Sequence, residues 1–246
     1  MKTRQCNCLG LAGLWFVCMA TSSACELPEW QARYNIIKYS TTVARVTMTL
    51  HSENKQAQYR LHTKPVGLLA AFSNEELTEL SELIQTEDKT WQLQKFSQLR
   101  SQDNQRNQQF TLQLNENNMQ AEGTDEGKAF KMNVAMPAWD RSSVQLALTC
   151  DLLATNKPQP AYDYTIIDSA QTSNYHFEYR GADTIRIADK KIEAYKFERI
   201  SGDRSTLFWL APSMKFMPVF IEQYKKGKLH LRMKLDLPTA DSHYEP

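Results

Sequence analysis

The sequence predicts a mainly β chain: a curved antiparallel sheet or incomplete β-barrel with one or two short helices. Three observations predict it. Apolar and polar residues alternate with a period of two in several segments, most cleanly over 44–50, 175–180 and 229–237, and such alternation gives a strand one dry and one wet face. Polar or glycine-bearing stretches separate these runs at hairpin spacing. Hydrophobic residues make up 41% of the 246-residue chain and aromatics 10%, which supports a sizeable core and argues against disorder.

The first element is an address rather than a fold. Lys2 and Arg4 precede a short apolar run, 9–20, and the small residues Thr21, Ser22, Ser23 and Ala24. That order is the pattern of a secretory signal peptide cut after Ala24. The run is shorter than the ~20 apolar residues that a membrane-spanning helix needs. Cleavage leaves a single β-rich domain over 25–246, with Cys25 first and no transmembrane segment. The expected location is the periplasm, in soluble form. The alternative is a lipoprotein anchored through Cys25, although Ser22 stands where such a signal carries a larger apolar residue. Cys6, Cys8 and Cys18 leave with the signal, so Cys25 and Cys150 are the disulfide candidates in an oxidising compartment. Lipidation of Cys25 and the disulfide exclude each other.

Strands are expected over 44–50, 110–114, 175–180, 195–197 and 229–237. Turn signals fall at 115–118, Glu122-Gly123, Glu126-Gly127-Lys128, Arg180-Gly181, Ser201-Gly202-Asp203 and Lys226-Gly227-Lys228. Ser73 with Glu76 fits a capping box ahead of Leu77, Leu80 and Ile84, which predicts a helix over 73–84. Asp140 is placed to cap a second helix over 141–154, with Val144, Leu148 and Leu152 on one side. Pro158 and Pro160 follow its end. Residues 98–109, rich in Gln, Asn, Asp and Arg, read as a polar loop, either a solvated hairpin tip or a flexible loop, and 238–246 as a flexible tail.

Composition excludes several functions. The chain has 29 basic and 28 acidic residues, and losing Lys2 and Arg4 takes the 29 to 27; such a balance carries no basic excess for nucleic acid. His51, His62, His176, His230 and His243 lie outside metal-ligand spacing of one another and of the cysteines. No G-x-S-x-G elbow, P-loop or dinucleotide fingerprint occurs, so no catalytic residue, metal or cofactor is assigned. Asp163, Asp168, Glu178, Asp183 and Glu193 are carboxylates near one another in sequence, which strand-edge acids explain as well as a glycosidase pair does.

The most distinctive segment is 206–212, followed by 217–222. Four large apolar residues in a row, Leu207 to Leu210, need cover on both faces of a strand or a cavity to line. Trp209 is therefore a cavity candidate, and Tyr175, Phe177 and Tyr179, which share one face of their strand, are candidates for the same wall.

This C-terminal block, Trp209-Leu210-Ala211-Pro212 with Pro218-Val219-Phe220-Ile221-Glu222, resembles the bacterial envelope family called domain of unknown function 3108. The N-terminal Leu27-Pro28-Glu29-Trp30-Gln31-Ala32-Arg33-Tyr34, the Tyr59-Arg60-Leu61 strand, the Gly67-Leu68 pair and Asp140 before a helix extend the resemblance over most of the chain. Two features depart from it: Gly181-Ala182-Asp183 stands where relatives carry Gly-x-Glu, and 188–191 replaces a tight glycine turn. The resemblance implies strands over 73–84, against the capping box, and brings no catalytic residues. The expected function is a non-enzymatic envelope factor binding a lipid, another apolar or amphipathic ligand, or an envelope protein partner. An envelope hydrolase and a scaffold or assembly protein without ligand are the alternatives.

Overall fold

A computed structural model of the chain describes residues 25–237 except 103–104, 116 and 118. The proposed signal segment with its Ala24 cleavage site, and the tail 238–246, lie outside the described residues. Among the described residues the alternation read from sequence becomes one fifteen-stranded sheet. Its N-terminal meander runs β1 (Trp30–Lys38), β2 (Thr41–Glu53), β3 (Gln56–Pro65), a five-residue helix α1 (Leu68–Phe72), β4 (Glu76–Gln85), β5 (Trp91–Gln102), β6 (Gln105–Asn115), β7 (Gln120–Asp125) and β8 (Lys128–Asn133). After the three-residue β9 (Ala138–Asp140) and helix α2 (Val144–Thr155), a second meander runs β10 (Ala161–Asp168), β11 (Gln171–Ile187), β12 (Lys190–Ser201), β13 (Arg204–Ala211), β14 (Met217–Lys225) and β15 (Lys228–Leu235).

The two meanders are joined where β1 pairs antiparallel with β15, Tyr34 opposite Leu235 and Ile36 opposite Met233. The strand order is therefore β8 to β1, then β15 down to β9. Among the described residues only the β9–β10 pair is parallel. The sheet coils without closing: the inner face of β5–β8 folds over its far edge, so that Phe96, Phe110 and Leu112 bury Ala138 and Ile167 in a small second core. Covering an edge in this way removes a row of unpaired backbone groups from solvent.

The main core surrounds α2. Val144, Leu146, Ala147, Leu148 and Leu152 are all buried, so the helix is apolar nearly all round, as an element enclosed by a sheet must be. The helix begins three residues later than the sequence suggested, after a turn at 141–143. Asp140 caps that turn: its Oδ1 accepts from the backbone N–H of Ser142 at 2.7 Å and of Ser143 at 2.9 Å. Cys25 and Cys150 form a disulfide with Cα atoms 5.3 Å apart. It pins the start of the described chain to the second half of α2, and the Cys25 carbonyl accepts from Trp91 Nε1 at 2.9 Å.

Residues 73–84 correct the helix expected from the capping box. Ser73 Oγ does accept from the Glu75 N–H at 3.2 Å, but only as a local turn. From Glu76 on, the segment is a strand paired on both sides, with β3 and with β5. Two ladders satisfy its backbone and outweigh the helical spacing of Leu77, Leu80 and Ile84, because propensity is a weak prior beside tertiary context. The polar stretch 98–109 takes the hairpin-tip form rather than that of a flexible loop: it is the end of β5 and the start of β6, paired from Gln98–Phe110 to Gln102–Gln105.

Two glycine turn signals also lie inside strands. At Gly123 in β7 a Cβ would meet the Thr111 carbonyl oxygen at 1.9 Å, so the residue permits close approach to β6. Gly181, at φ +99°, sits in a bulge of β11 between Tyr179 and Ala182, where only glycine adopts such backbone without strain.

Candidate functional site

Strand register fixes the geometry of a cavity. Hairpin turns at 39–40, 169–170, 202–203 and 226–227 lie at one end of the sheet, here the upper end, as the pairs Lys38–Thr41, Asp168–Gln171, Ser201–Arg204 and Lys225–Lys228 define. Trp91 begins β5 at the lower end. Through Cys25 it holds the second half of α2 there. The first turn of α2 consequently points upward, and between it and the upper rim lies a cavity of about 330 Å³, within the size range of small-molecule sites.

Its wall is mostly apolar. Met48, Phe177, Phe208, Ile221, Leu231 and Met233 face it from both meanders, with Val144 of α2 as part of the floor. Polar side chains interrupt this lining, Thr63, Glu79, Arg141, Thr206 and Gln223 among them, and Gln145 and Arg199 stand out. At the floor, Gln145 is buried with its side-chain amide directed at the Tyr59 hydroxyl. On the upper wall, the Arg199 guanidinium stacks 4.0 Å from the Tyr175 ring centroid and reaches Thr206 Oγ1 only at 3.5 Å; its buried Nε has no partner among the described residues. Among the described residues no carboxylate pairs with Arg199, whereas the other arginine at the cavity, Arg141, is bound to Glu79 Oε1 at 2.9 and 2.6 Å and lies 3.6 Å from Asp168. Burial alone would lower the Arg141 pKa, but Glu79 and Asp168 outweigh it and raise it above the usual guanidinium value. Of the two guanidinium groups at this cavity, Arg141 is neutralised by carboxylates and Arg199 meets none among the described residues.

The remaining titratable groups of the interior are structural. Burial holds the Asp140 carboxyl above the ordinary carboxylate range, opposed by hydrogen bonds from Ser143, whose hydroxyl donates to Asp140 Oδ2 at 2.6 Å, and from Ser142. Burial also raises the phenols of Tyr34 and Tyr59 well above their usual value. Tyr34 donates to the Pro218 carbonyl at 2.8 Å and Tyr59 contacts Met48 Sδ at 3.4 Å.

The structure divides the four aromatic candidates. Tyr175 and Phe177 line the cavity. Tyr179 lies on the same face of β11 but further from the mouth, packed against Tyr195 and Phe197 with centroids 5.8 and 5.4 Å apart. Trp209 does not face the cavity at all. Its neighbour Phe208 points inward, so alternation turns Trp209 to the convex face. There it packs on Phe220 at 5.1 Å, lies under the Lys196 ammonium at 5.3 Å, and donates from Nε1 to Asp183 Oδ2 at 3.1 Å. The run Leu207 to Leu210 is thus a strand covered on both faces.

Sequence reasoning missed Arg199, Gln145 and Phe208 as site residues. The signal for Arg199 was present: it stands at an inward position of a strand that otherwise alternates Ala194, Tyr195, Lys196, Phe197, Glu198. His176, placed on the polar face by its alternation, is exposed and bonded to Asp163 Oδ1 at 2.9 Å.

The family model described as Protein of unknown function (DUF3108) matches residues 30–236 of the chain. No curated protein matches it. Among solved structures it is similar to the crystal structure of a β-barrel-like protein of domain of unknown function DUF1849 from Brucella abortus, with 10% sequence identity and a TM-score of 0.51, covering 84% of this chain and 95% of that one. At that identity the likeness shows a shared fold and nothing further.

Proposed function

Since the chain belongs to the family of proteins of unknown function DUF3108, whose name assigns no role, we propose from the site itself that it is an exported, non-enzymatic binder of an acidic amphiphile. The apolar part of such a ligand fills the cavity above α2 and its anionic head meets Arg199. The observation that carries this reading is a guanidinium with no carboxylate partner among the described residues, on the wall of a mostly apolar cavity. Arg199 is partly buried, with its Nε withdrawn from water; a charge so placed without a counter-ion is disfavoured, and a ligand carboxylate or phosphate would supply the missing partner. Gln145 adds an amide at the floor.

Export rests on the signal pattern before Ala24 and on the Cys25–Cys150 disulfide, since such bonds persist in oxidising compartments. The same disulfide occupies the thiol that a lipid anchor would need, which favours the periplasmic form released from its signal over the lipoprotein. Among the described residues no helix is long and apolar enough to cross a membrane.

Isothermal titration with dodecanoate and with dodecanol tests the reading. Dodecanoate binds the wild type and dodecanol binds at least tenfold more weakly. Arg199→Gln removes that preference while leaving dodecanol unchanged, because a charge-assisted hydrogen bond is worth 1.5–3 kcal/mol or about 10- to 150-fold. Equal affinities for acid and alcohol in the wild type, or no binding of either, would end the proposal.

A further inference from the structure

The upper rim around the cavity mouth carries a second feature, independent of what the cavity holds. Seven large hydrophobic residues are exposed among the described residues. Six of them, Tyr39, Leu68, Leu69, Phe72, Ile200 and Leu229, belong to the upper turns; only Met119 lies at the lower end. In sheet order β12 to β4, the connections at 202–203, 226–227, 39–40 and 66–75 are consecutive along this rim. Single exposed apolar residues are ordinary on a protein surface, whereas a contiguous group is not. Tyr39 is 90% exposed, Phe72 87% and Leu68 77%. The whole of α1 packs no side chain into the core.

Charge on the same turns is one-sided. Lys38, Arg204, Lys225, Lys226 and Lys228 stand beside these apolar tips, and none forms an ion pair with a described residue. Asp203 is the single carboxylate on the turns 39–40, 202–203 and 226–227, and the acids that follow α1 are engaged, Glu75 with Arg100 and Glu76 with Lys64. Protruding apolar and aromatic side chains ringed by lysines are the chemistry of a surface that dips into the interface of an anionic bilayer. A soluble protein partner of matching shape would require neither the lysine ring nor side chains standing so far from their own sheet.

We propose that the upper rim docks on an anionic lipid surface, with the mouth of the cavity facing the bilayer. Tyr39, Leu68, Leu69 and Phe72 insert at the headgroup level, and Lys225, Lys226 and Lys228 meet the lipid phosphates. The docking goes beyond the cavity reading and stands without it.

Co-sedimentation of the mature chain with vesicles tests the proposal. One set holds equal parts of phosphatidylglycerol and phosphatidylcholine, the other phosphatidylcholine alone. The wild type sediments with the anionic vesicles and releases at high salt. Each lysine near an anionic surface contributes roughly fivefold, so Lys225→Gln/Lys226→Gln/Lys228→Gln lowers partitioning by about 100-fold. Leu68→Ser/Phe72→Ser lowers it on both vesicle types. Both variants keep the wild-type circular dichroism spectrum and urea midpoint, which shows that they fold and keeps this test independent of what the cavity holds. Wild type that stays in the supernatant with anionic vesicles would overturn the docking. So would a dimer in sedimentation equilibrium that Leu68→Ser/Phe72→Ser dissociates, because a second copy would then be what covers the rim.

Discussion

Replacing Trp209 and Phe208 one at a time gives two different phenotypes from adjacent residues, because the strand turns their side chains to opposite faces. Trp209 is 4% exposed and wedged between Phe220, Lys196 and Asp183 on the convex side. A side chain of this kind buries roughly 150–250 Å², worth about 4–6 kcal/mol at ~25 cal/mol per Å². Alanine recovers part of that, which leaves a loss of about 3–5 kcal/mol, the range of large aromatic truncations in cores. The hydrogen bond adds little, since Asp183 is exposed and water replaces the indole. Phe208 is half-buried at the cavity wall against Phe177, so Phe208→Ala forfeits fewer contacts and costs less. The assay is urea unfolding of both variants followed by dodecanoate titration at a denaturant-free condition where each is folded. Trp209→Ala loses stability with unchanged affinity per folded molecule; Phe208→Ala keeps most of its stability and loses affinity. A Trp209→Ala protein of near wild-type stability that no longer binds would refute the placement of these two faces.

Three further outcomes are expected. Cys25→Ser or Cys150→Ser opens a loop spanning 125 residues, and chain entropy sets a ceiling of about 5 kcal/mol on the loss; a midpoint of unfolding that does not move on reduction of the wild type would contradict the role of the bond in holding α2. Asp140→Ala strands the Ser142 and Ser143 N–H groups and costs roughly 2–4 kcal/mol, while Asp140→Asn keeps an acceptor for them and costs less. Since burial raises the Asp140 pKa, the native state holds that proton more tightly than the unfolded chain, so stability falls as pH rises through the folded value, and the Asn variant lacks this slope. The hydrogen bond from His176 to Asp163 raises the His176 pKa above 6.5 and lowers that of Asp163. The imidazolium pairing is present below pH 6.5 and is lost as pH rises through the folded pKa. An NMR titration sees that midpoint fall in Asp163→Asn, with Glu178 still favouring the imidazolium, and global stability changes little because both groups are exposed.

Much of the fold was legible in the sequence where one local rule sufficed. Alternation over 44–50, 175–180 and 229–237 marks strands because a period of two needs only one dry face. Glycine marks the turns at Gly127, Gly202 and Gly227 because each adopts positive φ. The turns Tyr39-Ser40 and Ser169-Ala170 carry no such mark, although both residues of each take positive φ, from 50° to 62°. Pairing of the flanking strands holds them there, and that is a tertiary cause. The spacing of Ser73, Leu77 and Leu80 was a true helical signal, overridden by two neighbouring ladders.

The candidate site was less legible. Sequence by itself determined that the chain alternates into strands, that Asp140 opens a helix, that Cys25 and Cys150 can pair, and that Tyr175 and Phe177 share one face. Only the tertiary structure decided that β1 pairs with β15, that α2 fills the lower half of the coil and leaves the upper half hollow, and that Arg199 reaches that hollow without a carboxylate to meet it. The physical reason is that alternation fixes on which face of its strand a side chain stands. What that face encloses depends on how the sheet curls and what is packed inside it, which are sums over contacts between residues far apart in the chain.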